Sequence, residues 1–190
     1  MEDYKISIKN MVCPRCIMAV ETVLNDHSIK YKEVILGEIT LYKEIEEEEK
    51  KKISDDLEKL GFEVLSDKKT QTIERIKTII IETIHHDDEL EHFGNISEYI
   101  SRALDHNYSS LSKLFSDVEG ITIEKYMINQ KIEKAKELLI YGELNINEIA
   151  ISLGYSSSQH LSTQFKTITG LSPSEFKKDR SHSRKPLTGV

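Results

Sequence analysis

Hydrophobic positions at the front of the chain follow a strand period and then a helix period. The segment YKISIKN places Ile6 and Ile8 between polar residues, and this period of two predicts a half-buried strand. A helix is expected next, because Pro14 suits a first helical turn and apolar residues recur behind it. The positions assigned to the buried face of that helix are Cys16, Met18, Val20, Val23 and Leu24.

The segment that follows predicts two strands, a second helix and a short last strand. YKEVILGEITLYK divides into two strands at Gly37, and EEEEKKKISDDLEKLGF predicts a polar helix that turns Ile53, Leu57 and Leu60 inward. That helix stops at a Gly-Phe pair, after which one more short strand fits. The order βαββαβ predicts an α+β domain, a ferredoxin-like sandwich over residues 1–67.

Helical periods replace this pattern beyond a polar segment at residues 66–71, which we interpret as the boundary between two domains. The first helix beyond it ends in the turn HHDDELEHFGN, which is expected to be a solvated loop and not a metal site. The second domain is predicted to cover residues 71–180, and residues 181–190 are expected to form a disordered basic tail. Isoleucines on one face of the opening helix are Ile73, Ile76, Ile80 and Ile84.

An internal repeat predicts the architecture of this all-α second domain. Residues 96–126 align with residues 146–176 without a gap, at a constant shift of 50 (146 − 96). Each copy predicts a short helix, a turn and a second helix that ends at a glycine, and residues 123–141 are long enough to form a helix between the copies. The domain is therefore predicted to hold two helix-turn-helix units joined by a long helix. The identical pairs are Ile96/Ile146, Glu98/Glu148, Leu111/Leu161, Ser112/Ser162, Phe115/Phe165 and Gly120/Gly170.

The formal net charge of −7 is unevenly spread along the chain. Residues 1–94 hold 14 Lys and Arg against 22 Asp and Glu (−8), whereas residues 95–190 hold 12 against 11 (+1). The more positive second half leaves room for a polyanionic partner. Because the sequence has no apolar leader and no long apolar run, a cytoplasmic protein without a membrane partner is expected.

Cys13 and Cys16 are the only cysteines, and they stand one turn apart in CPRC. In a reducing cytosol such a pair is more typical of a metal or redox site than of a structural disulfide. Three interpretations stay open from these residues: a soft-metal site, a reversible dithiol switch and a structural pair. Two thiolates suffice for near-linear Cu(I), the expected ion. Zn(II), an alternative like other thiophilic ions, would need further ligands such as His27.

A strand, then Met-x-Cys-x-x-Cys at a helix start, then a closing Gly-Phe pair are the motif parts of the front domain. With MVCPRC from Met11 to Cys16 and Gly-Phe at 61–62, this domain resembles the heavy-metal-associated domain of copper chaperones and metal-transporting ATPases. The glycine that often precedes the methionine in that family is Asn10 here. The resemblance implies metal ligation by Cys13 and Cys16, while Met11 is expected to pack under the loop.

The second domain carries a longer ordered motif. It consists of Ala135 and Leu138-Leu139, Ile149-Ala150, Leu153-Gly154-Tyr155, Phe165-Lys166, and Gly170-Leu171-Ser172-Pro173 with Phe176. Over about residues 72–178 the chain resembles the C-terminal DNA-binding domain of AraC/XylS-type transcription regulators. The resemblance implies that the second helix of each copy enters the major groove of double-stranded promoter DNA. The base-contact candidates are Ser109, Ser110, Ser112 and Lys113 in one copy and Ser158, Gln159, His160 and Thr163 in the other.

These candidates differ in the contacts that their chemistry permits. Gln159 suits bidentate contact with adenine, Lys113 suits guanine, and the serine and threonine hydroxyls are permissive donors. Lys166 and the amides at the helix starts are expected to hold phosphates. An arginine often found in the family is Thr163 here, and residues 71–190 hold 14 basic against 17 acidic side chains. We therefore expect salt-sensitive DNA binding that needs both copies, a homodimer or an activating ligand.

Together, the two resemblances predict a metal-responsive transcription regulator of the AraC family. In this hypothesis a soft ion orders the CPRC loop, changes how the front domain packs on the isoleucine helix and biases a DNA-competent arrangement. The alternatives are a regulator that responds to a Cys13–Cys16 disulfide and a metal-carrier protein. An enzyme is not expected, because the sequence lacks a Ser/His/Asp set, a phosphate loop and paired carboxylates in a pocket.

Overall fold

The computed structural model describes residues 4–86, 96–178 and 186–189 and divides the chain into two compact units, Met1–Ile79 and Ile80–Val190. The division falls inside a helix, α3, that spans Lys68–Ile81. Most of the polar segment interpreted as a link is therefore the first turn of α3. The physical reason is a cap, since Asp67 Oδ2 accepts hydrogen bonds from the backbone N–H (2.9 Å) and the hydroxyl (3.0 Å) of Thr70.

Four strands and two helices of the first unit follow one another in the predicted order. The sheet is antiparallel throughout, and its strand order is β2-β3-β1-β4. The central strand β1 pairs Ile6 with Ile39 of β3 and Ile8 with Val64 of β4. The elements are β1 (Tyr4–Lys9), α1 (Pro14–Asp26), β2 (Tyr31–Ile35), β3 (Glu38–Leu41), α2 (Glu47–Lys59) and β4 (Glu63–Leu65).

Two residues assigned to the core of this unit lie at its surface. Met18 of α1 is 65% exposed, because it stands two residues from Cys16 and from Val20 and so points away from the face that they share. Leu60 is 53% exposed, because α2 ends at Lys59 and Leu60 already belongs to the cap. Met11, by contrast, is buried in the apolar core with Ile6 and Ile8, as predicted.

Helices of the second unit repeat with the shift of 50 residues found in the sequence. Each of α7, α8 and α9 begins 50 residues after α4, α5 and α6 in turn. Among the described residues no helix is both long and apolar enough to cross a membrane. Beyond α3 the elements are a π-helical turn (Glu82–His86), α4 (Ile96–Leu104), α5 (Tyr108–Glu119), α6 (Ile123–Tyr141), α7 (Ile146–Ser152), α8 (Ser158–Thr169), α9 (Pro173–Lys178) and a 3₁₀ turn (Leu187–Gly189).

Equivalent aromatic pairs pack the two copies. Phe115 of α5 meets Tyr126 of α6 edge to face with ring centroids 5.7 Å apart, and Phe165 of α8 meets Phe176 of α9 in the same way at 5.4 Å. All four side chains are buried, and such pairs add about 0.5–1.5 kcal/mol to the burial of their area. The sequence repeat is therefore a structural repeat, because corresponding residues make corresponding contacts.

A buried polar chain joins the start of the second unit to its end. Gln130 of α6 is fully buried. Its Oε1 lies 3.0 Å from His85 Nε2, while its Nε2 donates to Tyr126 Oη at 3.0 Å and to the Leu187 carbonyl at 2.9 Å. His85 is thus packed, although the sequence assigned it to a solvated turn whose residues 87–95 lie outside the described residues. The predicted basic tail is likewise ordered at Leu187, while residues 181–185 and 190 are not described.

The burial of His85 predicts a pH-dependent stability. Burial lowers the pKa of His85 to about 4. The contact with Gln130 and the neighbouring Lys134, Glu137 and His86 have smaller effects on this pKa than burial has. Because the unfolded chain takes up this proton near its ordinary value of 6.5, stability is present above that pH and is lost as pH falls towards 4. Between pH 7 and pH 5 the free energy of unfolding of the second unit should fall by about 2 kcal/mol more in the unsubstituted protein than in a His85→Asn variant.

Hydrogen exchange of the α6 amides at the two pH values measures this difference, since α6 lies in the second unit. All other titrating groups are shared by the two proteins, so their effects cancel. Equal losses in the two proteins would contradict a neutral, buried His85.

Candidate nucleic-acid interface and thiol pair

Corresponding side chains of α5 and α8 point away from the core at the same three positions of each helix. On the inner face, Leu111 and Phe115 of α5 and Leu161 and Phe165 of α8 are buried. The opposite face presents candidates that stand 50 residues apart and are exposed in both helices. These pairs are Ser109/Gln159, Ser110/His160 and Lys113/Thr163.

The remaining candidates lie on the same two helices with differing exposure. Lys166 is exposed in the last turn of α8, whereas Ser112 and Ser158 are half-buried. Both helices begin with a capped first turn. Asn107 Oδ1 accepts from the backbone N–H of Ser109, and Ser157 Oγ accepts from that of His160. Neither cap was predicted from the sequence, although Asn and Ser ahead of an apolar period are recognised helix starts.

Two hydroxyls predicted as donors to bases have their protons engaged within the protein. Ser109 Oγ donates to Asn107 Oδ1 at 2.6 Å, and Thr163 Oγ1 donates to the Gln159 carbonyl at 2.9 Å. In this arrangement both hydroxyls offer lone pairs to a partner. They are therefore acceptors, suited to the exocyclic amino groups of adenine and cytosine.

The imidazole of His160 is fixed by two neighbours from the turn before α8. Its ring meets Tyr155 edge to face with centroids 5.3 Å apart, and its Nδ1 lies 3.4 Å from Ser156 Oγ. The hydroxyl of Tyr155 in turn donates to Gln164 Oε1 at 2.9 Å. These contacts orient His160 at the exposed start of α8.

Cys13 and Cys16 lie together at the start of α1. Cys13 is the N-cap residue, Pro14 follows it, and the two sulfur atoms are 3.5 Å apart as free thiols. Burial would raise the pKa of the Cys13 thiol, but hydrogen bonds from Cys16 and the Arg15 backbone, together with the Arg15 charge, outweigh it and lower that pKa. Cys13 therefore has more thiolate character than an ordinary cysteine, which favours both soft-metal ligation and oxidation.

The loop ahead of the cysteines adopts a backbone conformation that explains its residue preference. Asn10 has φ of +73°, in the left-handed region that glycine and asparagine tolerate best. Its side-chain amide donates to the Gly61 carbonyl at 2.9 Å. The residue before Met11 and the glycine of the Gly-Phe pair, far apart in sequence, thus meet through this hydrogen bond.

His27 does not join the cysteines as a metal ligand. It caps the other end of α1, a helix of 13 residues and so about 20 Å long, and its Nε2 lies 2.8 Å from Asp56 Oδ2. Across residues 4–86, 96–178 and 186–189, no group of three or more His, Cys, Asp or Glu side chains is arranged to hold a metal ion.

Comparison with known proteins finds a family match within the second unit. Residues 100–179 match the family described as "Helix-turn-helix domain". The chain is 34% identical over 80 residues to the Msm operon regulatory protein of Streptococcus mutans. The aligned segment covers 42% of this chain and 29% of that protein. It is 39% identical over 69 residues to the xylose operon regulatory protein of Escherichia coli. This aligned segment covers 36% of this chain and 18% of that protein. The chain thus spans less than a third of these relatives.

A solved structure supports the same placement. The C-terminal domain of AraT, a response regulator from Geobacillus stearothermophilus, superimposes with a TM-score of 0.50 at 27% sequence identity, covering 62% of this chain and 92% of that domain. With the family match, this defines a helix-turn-helix domain. The sequence repeat predicted two helix-turn-helix units, and the family match and this structure agree with that class of domain.

Proposed function

We propose that this protein is a sequence-specific, DNA-binding transcription regulator that reads DNA with both copies of its repeat. The observation that carries the proposal is that α5 and α8 expose polar side chains at the same three positions while burying equivalent Leu and Phe residues. A helix held by one face and free on the other is what insertion into a major groove requires. The names of the two operon regulatory proteins to which the chain is similar support transcription regulation.

The length of α6 suits simultaneous engagement of both copies. With 19 residues it is about 28 Å long, close to the roughly 34 Å that separate major grooves on one face of B-DNA. We expect Gln159 and Lys113 to contact bases and Lys166 to contact a phosphate. Because residues 71–190 carry 14 basic against 17 acidic side chains, affinity depends on placement more than on net charge and falls steeply with salt.

Two substitutions separate base reading from phosphate contact. Sites are first selected from a random DNA library with the full chain, and dissociation constants are then measured at several salt concentrations. Gln159→Ala should weaken the selected site by roughly 1–3 kcal/mol and relax preference at one base pair. Lys166→Gln should weaken all sequences alike and reduce the salt slope by about 1.

Lys30→Gln is the control, because it removes one positive charge from an exposed position of the first unit, and it should leave DNA binding unchanged. If neither α8 variant differs from this control, α8 is not a recognition helix.

The finer part of the proposal concerns the first unit, in which Cys13 and Cys16 would hold a soft monovalent ion, Cu(I) in the first place. The βαββαβ order and the sheet order β2-β3-β1-β4 support a ferredoxin-like, heavy-metal-associated domain. Two neighbouring thiols, one with a lowered pKa, form the kind of soft donor pair that Cu(I) prefers. A bound ion would link the two thiolates, and this link would form only when the ion is available.

A route for the response runs through α3, which begins in the first unit and ends in the second. Within the first unit, Arg75 of α3 donates from Nη1 to the Leu36 carbonyl at 3.0 Å, and the buried Thr78 lies against Gly37. The Gly37 carbonyl accepts from the Ile8 backbone N–H, on the strand that leads to the cysteines. We propose that ion binding changes these contacts and thereby biases the second unit towards DNA binding.

Anaerobic titration with Cu(I) against a competing chelator tests the metal site. The reduced full chain should bind one ion, and the Cys13→Ser, Cys16→Ser double variant should bind none. Met11→Leu is the matched control and should retain the ion, because Met11 is buried in the core. Affinity for the selected DNA is measured in the same samples and should change with the ion only where both cysteines are present.

Equal metal binding by the double variant would remove the site from these cysteines. A chain that does not compete for Cu(I), yet changes its DNA affinity when the thiols are oxidised, would instead support the disulfide-responsive regulator. Metal binding without any effect on DNA affinity would favour the metal carrier.

A further inference from the structure

A cavity of about 350 Å³ lies within the second unit, between the two copies of the repeat. The first copy contributes Tyr108 at the start of α5, and the second contributes Tyr155 and His160 from the turn and the start of α8. The volume falls in the range that holds small organic molecules. Three aromatic rings therefore line this space, and of these only His160 is also a candidate DNA contact.

One face of α6 forms the floor of this cavity. Glu124, Met127, Ile128 and Lys131 all line it, and their spacing of three, four and seven residues places them in one stripe of the helix. The apolar pair lies between the two charged residues, which are about 10 Å apart along the helix axis. The floor thus has an acidic end, an apolar middle and a basic end.

The basic end holds an ammonium group without an acidic partner. Lys131 Nζ lies 5.4 Å from the centroid of the Tyr155 ring, and no carboxylate of the described residues makes a salt bridge with it. Burial lowers the pKa of Lys131, which reports partial loss of water from the charge. Among the described residues its close partner is an aromatic face, and a half-buried cation in such surroundings is stabilised by an anion that enters the cavity.

The acidic end is already satisfied. Glu124 Oε1 accepts a hydrogen bond from the Tyr108 hydroxyl at 2.7 Å, and that bond lowers the pKa of Glu124. Its negative charge repels an anion from this end and leaves the Lys131 end as the favourable place. The two ends together fix the orientation of a bound molecule.

We propose that this cavity binds a small aromatic carboxylate, with its anionic group at Lys131 and its ring over Met127 between the tyrosine side chains. The aromatic lining favours a flat ring, and the ammonium of Lys131, which has no salt bridge to a described carboxylate, favours one carboxylate. Because α5 and α8 both border the cavity, occupancy would alter the helices that read DNA. That regulatory consequence rests on the proposed function, whereas the binding itself does not.

Benzoate is the probe, and benzamide is its neutral control of the same shape. Both are titrated into the ¹⁵N-labelled full chain without DNA, and backbone amide shifts near Met127, Lys131 and Tyr155 are followed. Benzoate should bind at least about tenfold more tightly than benzamide, as expected for one charge-assisted contact. Lys131→Met should abolish that preference, Lys131→Arg should keep it, and Lys125→Met, an exposed lysine of α6 outside the cavity lining, should leave it unchanged.

Equal binding of benzoate and benzamide, or an unchanged preference in Lys131→Met, would overturn the proposal. A Lys131→Met variant that loses DNA affinity and salt dependence, in a chain that never prefers benzoate, would also overturn it and assign Lys131 to a DNA phosphate. Because no DNA is present in the benzoate titration, failure of the regulator proposal leaves this result intact.

Discussion

The attachment of α5 and α8 by one face determines what the second unit can present to a partner. Leu111 and Phe115 fix α5, and Leu161 and Phe165 fix α8, each through a phenylalanine that meets an aromatic residue of the following helix edge to face. Because the inner face is occupied by packing, the opposite face has to be exposed. The exposed polar face is thus a consequence of the core and is duplicated because the core is duplicated.

A different constraint organises the first unit around its thiols. The left-handed backbone at Asn10 and its hydrogen bond to Gly61 turn the chain from β1 into α1, so that Cys13 caps the helix and Cys16 follows within its first turn. The thiol separation of 3.5 Å follows from this local turn and needs no distant ligand. Sensing by an ion or by oxidation would therefore act on a short segment tied to the sheet.

Periodicity predicted most helices and strands, because each long element buries one face. It placed α6 at residues 123–141 and recognised the repeat, since identical residues at a shift of 50 occupy identical positions in the packing. It was wrong at Met18 and Leu60, where hydrophobicity alone does not reveal which way a side chain points or where a helix ends. The start of α3 within the polar segment 66–71 and the burial of His85 were missed because both depend on single hydrogen-bond partners, Thr70 and Gln130.

The candidate interface was harder to predict at the level of atoms. Sequence identified the helix positions, but the engagement of the Ser109 and Thr163 protons arises from hydrogen bonds to Asn107 and to the Gln159 carbonyl. The cavity beside Lys131 had no signal in the sequence at all, because its walls come from both copies and meet only in the folded unit.

Hydroxyl-radical footprinting on a selected DNA site tests whether both copies of the repeat bind DNA together. We expect two protected segments on one face of the duplex, about 10–10.5 base pairs apart, with the segment assigned to α8 weakened in Gln159→Ala. A single protected segment, unaffected by substitutions in one of the two helices, would contradict it.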